Sequence, residues 1–336
     1  MTQNGLRTPP LPASAPTADL DAAARLFDPS RTPTWELLHR ARKAREKRFG
    51  NRVHLCAIIN AKSGVCSENC AFCAQSRHHA SSPPVYPLIS VERALEAAER
   101  ASSHGARCFS LVASGRSLTG RRERKSVLRI VEAIRARTDL EAAVSLGLLD
   151  PGFLRDLKNA GLSTLHHNLE TAPGFYGAIC TTHSFEERLE TVLRAREAGL
   201  RVCSGGIFGL GESFRHRAEL ALLLRKLEVE RVPVNFLHAI PGTPLAGTKR
   251  MAPLEALHAL AALRLLLPDR EILVCGGREV VLRSLQPLVF LAGANGIMTG
   301  NYLTTAGQGA GKDRRMLEDL GVPWRRDLPT GAPEAG

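Results

Sequence analysis

The chain has 336 residues, 44% hydrophobic and 23% charged, with a formal net charge of +12. That length and apolar share bury a large core, which excludes a disordered protein and suits one large α/β domain or two smaller ones. The Lys and Arg residues of "RARKAREKR", "RRERKSVLR" and "KDRR" stand mostly beside acids in helical patterns, with only three Tyr and two Trp for base stacking, so a solvated surface is expected and no nucleic-acid partner.

In chain order, residues 1–30 read as a flexible tail, since "MTQNGLRTPPLPASAPTADL" is rich in Pro, Ala and Thr and lacks the apolar centre of a signal peptide. No apolar run spans a bilayer, so no membrane partner and a cytoplasmic location are expected. Thiols stay reduced there, and eight cysteines point to metal or redox chemistry more than to disulfides. Short β-branched runs predict strands at 54–60, 107–113, 141–147, 163–169, 201–207, 232–238, 271–277 and 293–299. Amphipathic runs predict helices at 91–104, 122–137, 151–160, 185–199, 214–227, 253–266, 279–292 and 313–320. This alternation predicts a single α/β domain over residues 31–322, a (β/α)8 TIM-type barrel, with a doubly wound open sheet as the competing layout. Residues 323–336 read as a C-terminal tail.

In such a barrel the active site forms from the loops after the strands. The loop after the first strand carries Cys66, Cys70 and Cys73 in "GVCSENCAFCAQS". Zinc sites usually come as two C-x2-C hairpins, and no second hairpin follows this triplet. Thiolates suit iron–sulfur clusters, and a cubane held by three cysteines keeps one iron open. A structural zinc with a distant fourth ligand, or three unrelated thiols, is the plainer alternative.

The C-x3-C-x2-C loop resembles that of radical S-adenosylmethionine enzymes. The wider pattern resembles the biotin synthase family through "NAKSGVCSENCAFCAQS", "HHNLETAPGFY", "GLRVCSGGIFGLGE", "VPVNFLHAIPGTPL", "GGREVVLRSLQPL" and "GNYLTTAGQ". The resemblance covers about residues 35–322 and implies a radical S-adenosylmethionine barrel, a homodimer and an electron donor such as flavodoxin or ferredoxin. It implies that Cys66, Cys70 and Cys73 hold a [4Fe-4S] cluster with S-adenosylmethionine, that Asn168 and Glu170 contact the cosubstrate, and that "GGIFGLGE" lies beside its adenine. An ordinary Gly-rich turn with Glu212 at a helix start is the alternative for that last stretch. For the family's substrate, dethiobiotin, the matching residues are Lys62, Asn168 and Asn235. His166 stands where the family usually has Asn and takes no acid or base role.

The resemblance also implies a sulfur-donating auxiliary [2Fe-2S] cluster held by three cysteines and an arginine. Those places carry Ser110 (or Phe109), Ala143, Cys203 and Leu273, so only Cys203 remains. Residues two apart on a strand share a face. Cys108 lies two before Ser110, Cys275 two after Leu273, and Cys56 six before Lys62. Hence Cys56, Cys108, Cys203 and Cys275 are expected to bind a different auxiliary iron–sulfur cluster, of a four-iron type, with buried apolar thiols as the alternative. Cys180 takes no role from the sequence. The expected activity is radical sulfur insertion at C9 and C6 of dethiobiotin by a sulfurtransferase. A methylornithine synthase-like or hydrogenase-maturase-like radical enzyme, or a non-catalytic iron–sulfur protein, is the competing reading.

Overall fold

A computed structural model describes residues 16–324. Two helices, α1 (Thr17–Phe27) and α2 (Thr34–Phe49), precede the first strand. The strand segments are β1 (His54–Lys62), β2 (Ala106–Ala113), β3 (Glu141–Ser145), β4 (Thr164–His166), β5 (Arg201–Cys203), β6 (Gly206–Phe208), β7 (Arg231–Phe236), β8 (Glu271–Val274) and β9 (Gly296–Met298). Every pairing is parallel, the order runs β5-β4-β3-β2-β1-β9-β8-β7-β6, and β5 meets β7 at Cys203 and Arg231. That contact closes an eight-stranded barrel whose fifth strand is in two pieces.

The break in the fifth strand has a steric cause. A Cβ on Gly205 would lie 2.0 Å from the Pro233 carbonyl oxygen, and one on Gly206 would lie 2.4 Å from that of Glu170. Only glycine lets the strand cross its neighbours this closely. The peeled-away backbone after β4 is then captured, because Leu169 and Glu170 both donate their N–H groups to the Gly205 carbonyl.

The connecting helices begin where short polar residues can accept the first free N–H groups. Ser90 caps α3 (Val91–Ser103) through Arg93, and Asp150 caps α5 (Pro151–Asn159) through Phe153. Ser184 and Glu187 form a capping box on α7 (Phe185–Glu197). Helices α4 (Arg121–Arg137), α8 (Phe214–Lys226) and α9 (Pro253–Leu266) also match the sequence periodicity, and a short α6 (Pro173–Tyr176) lies between β4 and α7. The helix expected over 279–292 is instead α10 (Arg278–Leu282) followed by a 3-10 segment over Arg283–Val289. Arg283 adopts a left-handed φ of 53°, and Pro287 lacks the N–H a continuing α-helix needs. The last helix, α11, covers Ala310–Asp319.

The expected tail over residues 1–30 requires correction. Residues 1–15 lie outside the described residues, but α1 is folded against α8 and α9, with Ala23 and Phe27 buried. The Phe27 ring packs edge-on to Phe208 at 6.2 Å. Leu20, Ala23, Ala24 and Phe27 repeat with helical spacing, so burial of this stripe holds the segment down despite its Pro- and Thr-rich start. At the other end Trp324 is buried, and residues 325–336 lie outside the described residues.

Two apolar clusters result. The larger one fills the space between strands and helices, whereas Cys56, Cys108, Leu273, Cys275 and Met298 form a separate cluster inside the barrel. Below it, at the N-terminal ends of the strands, charged residues close the floor. Arg107 bridges Glu141 (3.0 Å) and Glu271 (2.9 Å), Arg231 bridges Glu271 (2.8 Å) and Glu141 (3.3 Å), and Arg201 adds a contact to Glu141 (2.9 Å). Burial opposes ionisation of Glu141, but the Arg107, Arg231 and Arg201 guanidiniums outweigh it and hold the carboxyl at about 2.

Candidate active site

The loop after β1 is built from hydrogen bonds local to the cysteines. Cys66 donates its N–H to the Gln75 carbonyl (2.9 Å), Cys73 donates to Cys70 (2.9 Å), and Arg77 donates to Cys66 (2.9 Å). Gln75 is itself anchored, its side-chain oxygen accepting from Ser63 (3.0 Å) and from the Gly64 N–H (3.1 Å). All three cysteines stay partly exposed. Burial raises the Cys73 thiol to about 11, with Cys66 and Glu170 adding negative potential. Glu170 therefore stands close to the cysteine loop, although 97 positions separate it from Cys73.

Behind this loop a cavity of about 260 Å³ runs down the barrel axis, lined by His166, Asn168, Glu170, Arg188, Asn235 and Tyr302 among others. Asn168 accepts from the Gly205 N–H (3.3 Å), and Asn235 accepts from the Gly276 N–H (2.9 Å), so both amides are oriented by backbone. Glu170 holds a left-handed φ of 69° and receives Arg188 at 3.2 Å. A non-glycine residue in that region costs roughly 1–3 kcal/mol and is retained where surrounding structure demands it. Burial raises the Glu170 carboxyl, and the Arg188 guanidinium opposes the rise. Burial also pushes His166 down to about 4, so at neutral pH its imidazole is uncharged and offers one donor and one acceptor.

Beneath this cavity lies a second one of about 30 Å³, lined by Cys56, Cys108, Cys203, Cys275, Ser110 and Arg231 among others. The two cavities share Ile58, His166, Pro233, Cys275 and Met298, so they are stacked. All four cysteines that strand parity puts on the barrel-facing side line this lower cavity. Burial raises the Cys203 thiol to about 12 and raises Cys275 as well.

The expectation of reduced thiols needs correction at one pair. Cys56 and Cys108 are joined by a disulfide, their Cα atoms 4.8 Å apart. They are direct partners across the parallel β1–β2 ladder, which brings two side chains on one face within disulfide reach. Disulfide sulfurs are not thiolates, so both residues ligate iron only after two-electron reduction.

Three more placements differ from the sequence-based picture. Lys62 does not join Asn168 and Asn235: its Nζ pairs with Glu123 at 2.8 Å and lines a separate open groove beside Tyr86 and Arg116. Glu212 is tied to the Gly209 (3.0 Å) and Leu210 (2.7 Å) N–H groups and to Arg217 (2.7 Å), a turn-closing role. Arg188 and Tyr302 line the cavity although neither takes a role from the sequence; Tyr302 lies 2.9 Å from both carboxylate oxygens of Glu279.

A closed parallel barrel with a three-cysteine loop at the mouth of an axial cavity defines a radical S-adenosylmethionine enzyme, and residues 61–224 match the Radical SAM superfamily. Residues 233–323 match the Biotin and Thiamin Synthesis associated domain. Biotin synthase of Geobacter sulfurreducens is 50% identical over 310 residues, covering 92% of this chain and 94% of that protein. Biotin synthase of Pelotomaculum thermopropionicum is 52% identical over 271 residues, covering 81% and 84%. The chain belongs to the biotin synthase family.

Among solved structures, methylornithine synthase superposes with a TM-score of 0.78 at 23% identity, covering 94% of this chain and 95% of its own. The FeFe-hydrogenase maturase of Carboxydothermus hydrogenoformans gives 0.79 at 20% identity, covering 90% and 75%. At such identities these two share the fold alone. No helix among the described residues is long and apolar enough to cross a membrane.

Membership implies a [4Fe-4S] cluster with S-adenosylmethionine and an auxiliary cluster. The residues present fit the first group, and they fit the second once the Cys56–Cys108 disulfide is reduced. At the loop, three thiols share one compact turn beside a carboxylate. In the lower cavity, Ser110 is buried and its hydroxyl has no hydrogen-bond partner. An orphaned hydroxyl among four sulfurs suits an occupant that accepts hydrogen bonds, as cluster sulfides do.

Proposed function

We propose that the chain inserts sulfur into dethiobiotin at C9 and C6 to give biotin, drawing the sulfur from a four-iron auxiliary cluster in the lower cavity. Cys66, Cys70 and Cys73 hold the first cluster, and Cys56, Cys108, Cys203 and Cys275 hold the second. Bound there, the first group with S-adenosylmethionine supplies a 5′-deoxyadenosyl radical and the second supplies sulfur. The single observation that carries this reading is the stacking of the two cavities on one axis, with His166 and Cys275 common to both.

The protein's own groups do the positioning. Asn168 and Asn235 offer amides, held by the Gly205 and Gly276 N–H groups, to a ureido ring whose carbonyl and two N–H groups are costly to bury unpaired. Glu170, held by Arg188, accepts hydroxyl hydrogens of the cosubstrate's ribose. The barrel wall excludes water from the radical. Lys62 takes no part in this arrangement, being paired with Glu123. A flavodoxin- or ferredoxin-type electron donor, a homodimer and a cytoplasmic location complete the reading.

Iron analysis of a chain carrying Cys66→Ala, Cys70→Ala and Cys73→Ala, reduced and reconstituted without air, tests the assignment. About four irons per chain are expected to remain. An iron-free chain would sink the auxiliary site.

A further inference from the structure

Cys180 stands at the edge of the first-cluster loop, in a setting that the proposed activity does not use. Its Sγ lies 3.7 Å from Cys70 Sγ and 3.3 Å from His183 Nδ1. Around a tetrahedral ion with sulfur at about 2.3 Å and nitrogen at about 2.0 Å, neighbouring donors sit about 3.8 Å (sulfur to sulfur) and 3.5 Å (sulfur to nitrogen) apart. The observed spacings are close to these edge lengths, and the three donor atoms lie within 4.8 Å of one another. By the same measure, 3.7 Å is too short for two cysteines on different irons of a cubane. Cys180 is therefore not the missing fourth ligand of that cluster.

The surroundings have the form of a built metal site. Glu68 Oε2 accepts the His183 Nδ1 hydrogen at 2.6 Å. Nitrogen and oxygen donors on one tetrahedral ion sit about 3.3 Å apart, so this bond opens when Nδ1 takes a metal and Glu68 stays beside the ion as a neighbouring charge. Tyr176 contacts the other ring nitrogen at 2.8 Å and fixes the imidazole, as outer partners of metal-binding histidines do. Asn69 ties the two loops together, its side chain bonding Thr181 Oγ1 (2.7 Å) and the Thr181 N–H (3.0 Å). Arg116, 3.2 Å from Glu68, and Arg188, 3.3 Å from His183, offset the negative charge that two thiolates and a carboxylate leave around a divalent ion. Cys180 and His183 are both buried.

We propose that the cluster-free chain binds one thiol-preferring divalent metal ion, zinc or ferrous iron, at Cys70, Cys180 and His183, with the fourth position left to water. The site shares Cys70 with the first-cluster ligands proposed above, so the two occupants exclude each other. Its geometry stands without that reading. Metal held there keeps the middle thiol of the loop until the cluster is assembled.

The test uses the full chain with Cys66→Ser and Cys73→Ser, free of iron and without air, and Co(II) as the probe. One cobalt per chain with thiolate-to-metal absorption is expected. That absorption falls to about half in Cys180→Ser, where one of two thiolates is lost. Affinity drops at least about tenfold in His183→Gln and about tenfold in Tyr176→Phe, each matched to its parent by circular dichroism. Absence of cobalt binding, or a band unchanged by Cys180→Ser and His183→Gln, overturns the proposal. On the unsubstituted chain, zinc is expected to protect Cys70 from alkylation while Cys66 and Cys73 stay reactive. Protection of all three together would place the metal in the triplet instead and also overturn it.

Discussion

Replacing Glu141 by Gln removes the carboxylate shared by Arg107, Arg201 and Arg231 at the barrel floor. A carboxyl held at about 2 against an ordinary 4.5 corresponds to at most about 3 kcal/mol of stability at neutral pH. Its side chain is 21% exposed, so solvent screening reduces the expected loss to roughly 2 kcal/mol. Arg231 stays paired with Glu271 at 2.8 Å, which keeps the loss below that of a stranded buried charge. The sign follows from the depressed folded-state value. The contribution is fully present above about 4.5 and is lost as pH falls toward about 2. Denaturant midpoints of the two proteins should therefore differ by a constant amount from pH 8 down to pH 5 and converge below pH 4. Equal stability at pH 7, or a gap that does not close in acid, would refute this account of the floor.

Further outcomes follow from single placements. Phe27→Ala should cost roughly 3–4 kcal/mol, because the ring is fully buried against Phe208; a melt unchanged within a degree would mean that α1 is not part of the folded body. Lys62→Met should leave biotin formation within about twofold, since the ammonium faces Glu123 outside the axial cavity; a loss of two orders of magnitude would return Lys62 to the substrate. Asn235→Ala should lower biotin formation by at least about tenfold while deoxyadenosine still appears, as an unpaired ureido group weakens binding; parallel loss of both products contradicts a substrate-only role. Iron loading of the triplet-free chain should need prior reduction of the Cys56–Cys108 disulfide, and equal loading without a thiol reductant would exclude those two cysteines as ligands.

Much of the site was legible because strands carry a strict period of two. Cys56, Cys108, Cys203 and Cys275 were expected on one face, and they line one cavity. Their disulfide was not legible, since it depends on the register that sets Cys56 opposite Cys108, and register is a property of two strands together. Cys180 beside Cys70 is of the same kind: 110 positions separate them, and loop-to-loop bonds such as those of Asn69 and of the Ala71 N–H to the Ile179 carbonyl bring them together. The stripe Leu20, Ala23, Ala24 and Phe27 was readable, but composition outweighed periodicity there. Lys62 shows a different limit, because a register shift between Asn60 and Lys62 breaks the period of two just before it.

The central claim is that sulfur in the product comes from the four deep cysteines' cluster. Its most direct test is mass spectrometry of one anaerobic turnover with dethiobiotin, S-adenosylmethionine and a reductant, using protein whose auxiliary cluster was rebuilt with heavy-isotope sulfide. The account predicts biotin carrying the heavy sulfur, and loss of biotin but not of deoxyadenosine in Cys203→Ala. Deoxyadenosine without biotin from the unsubstituted protein, or biotin carrying only light sulfur, would contradict it.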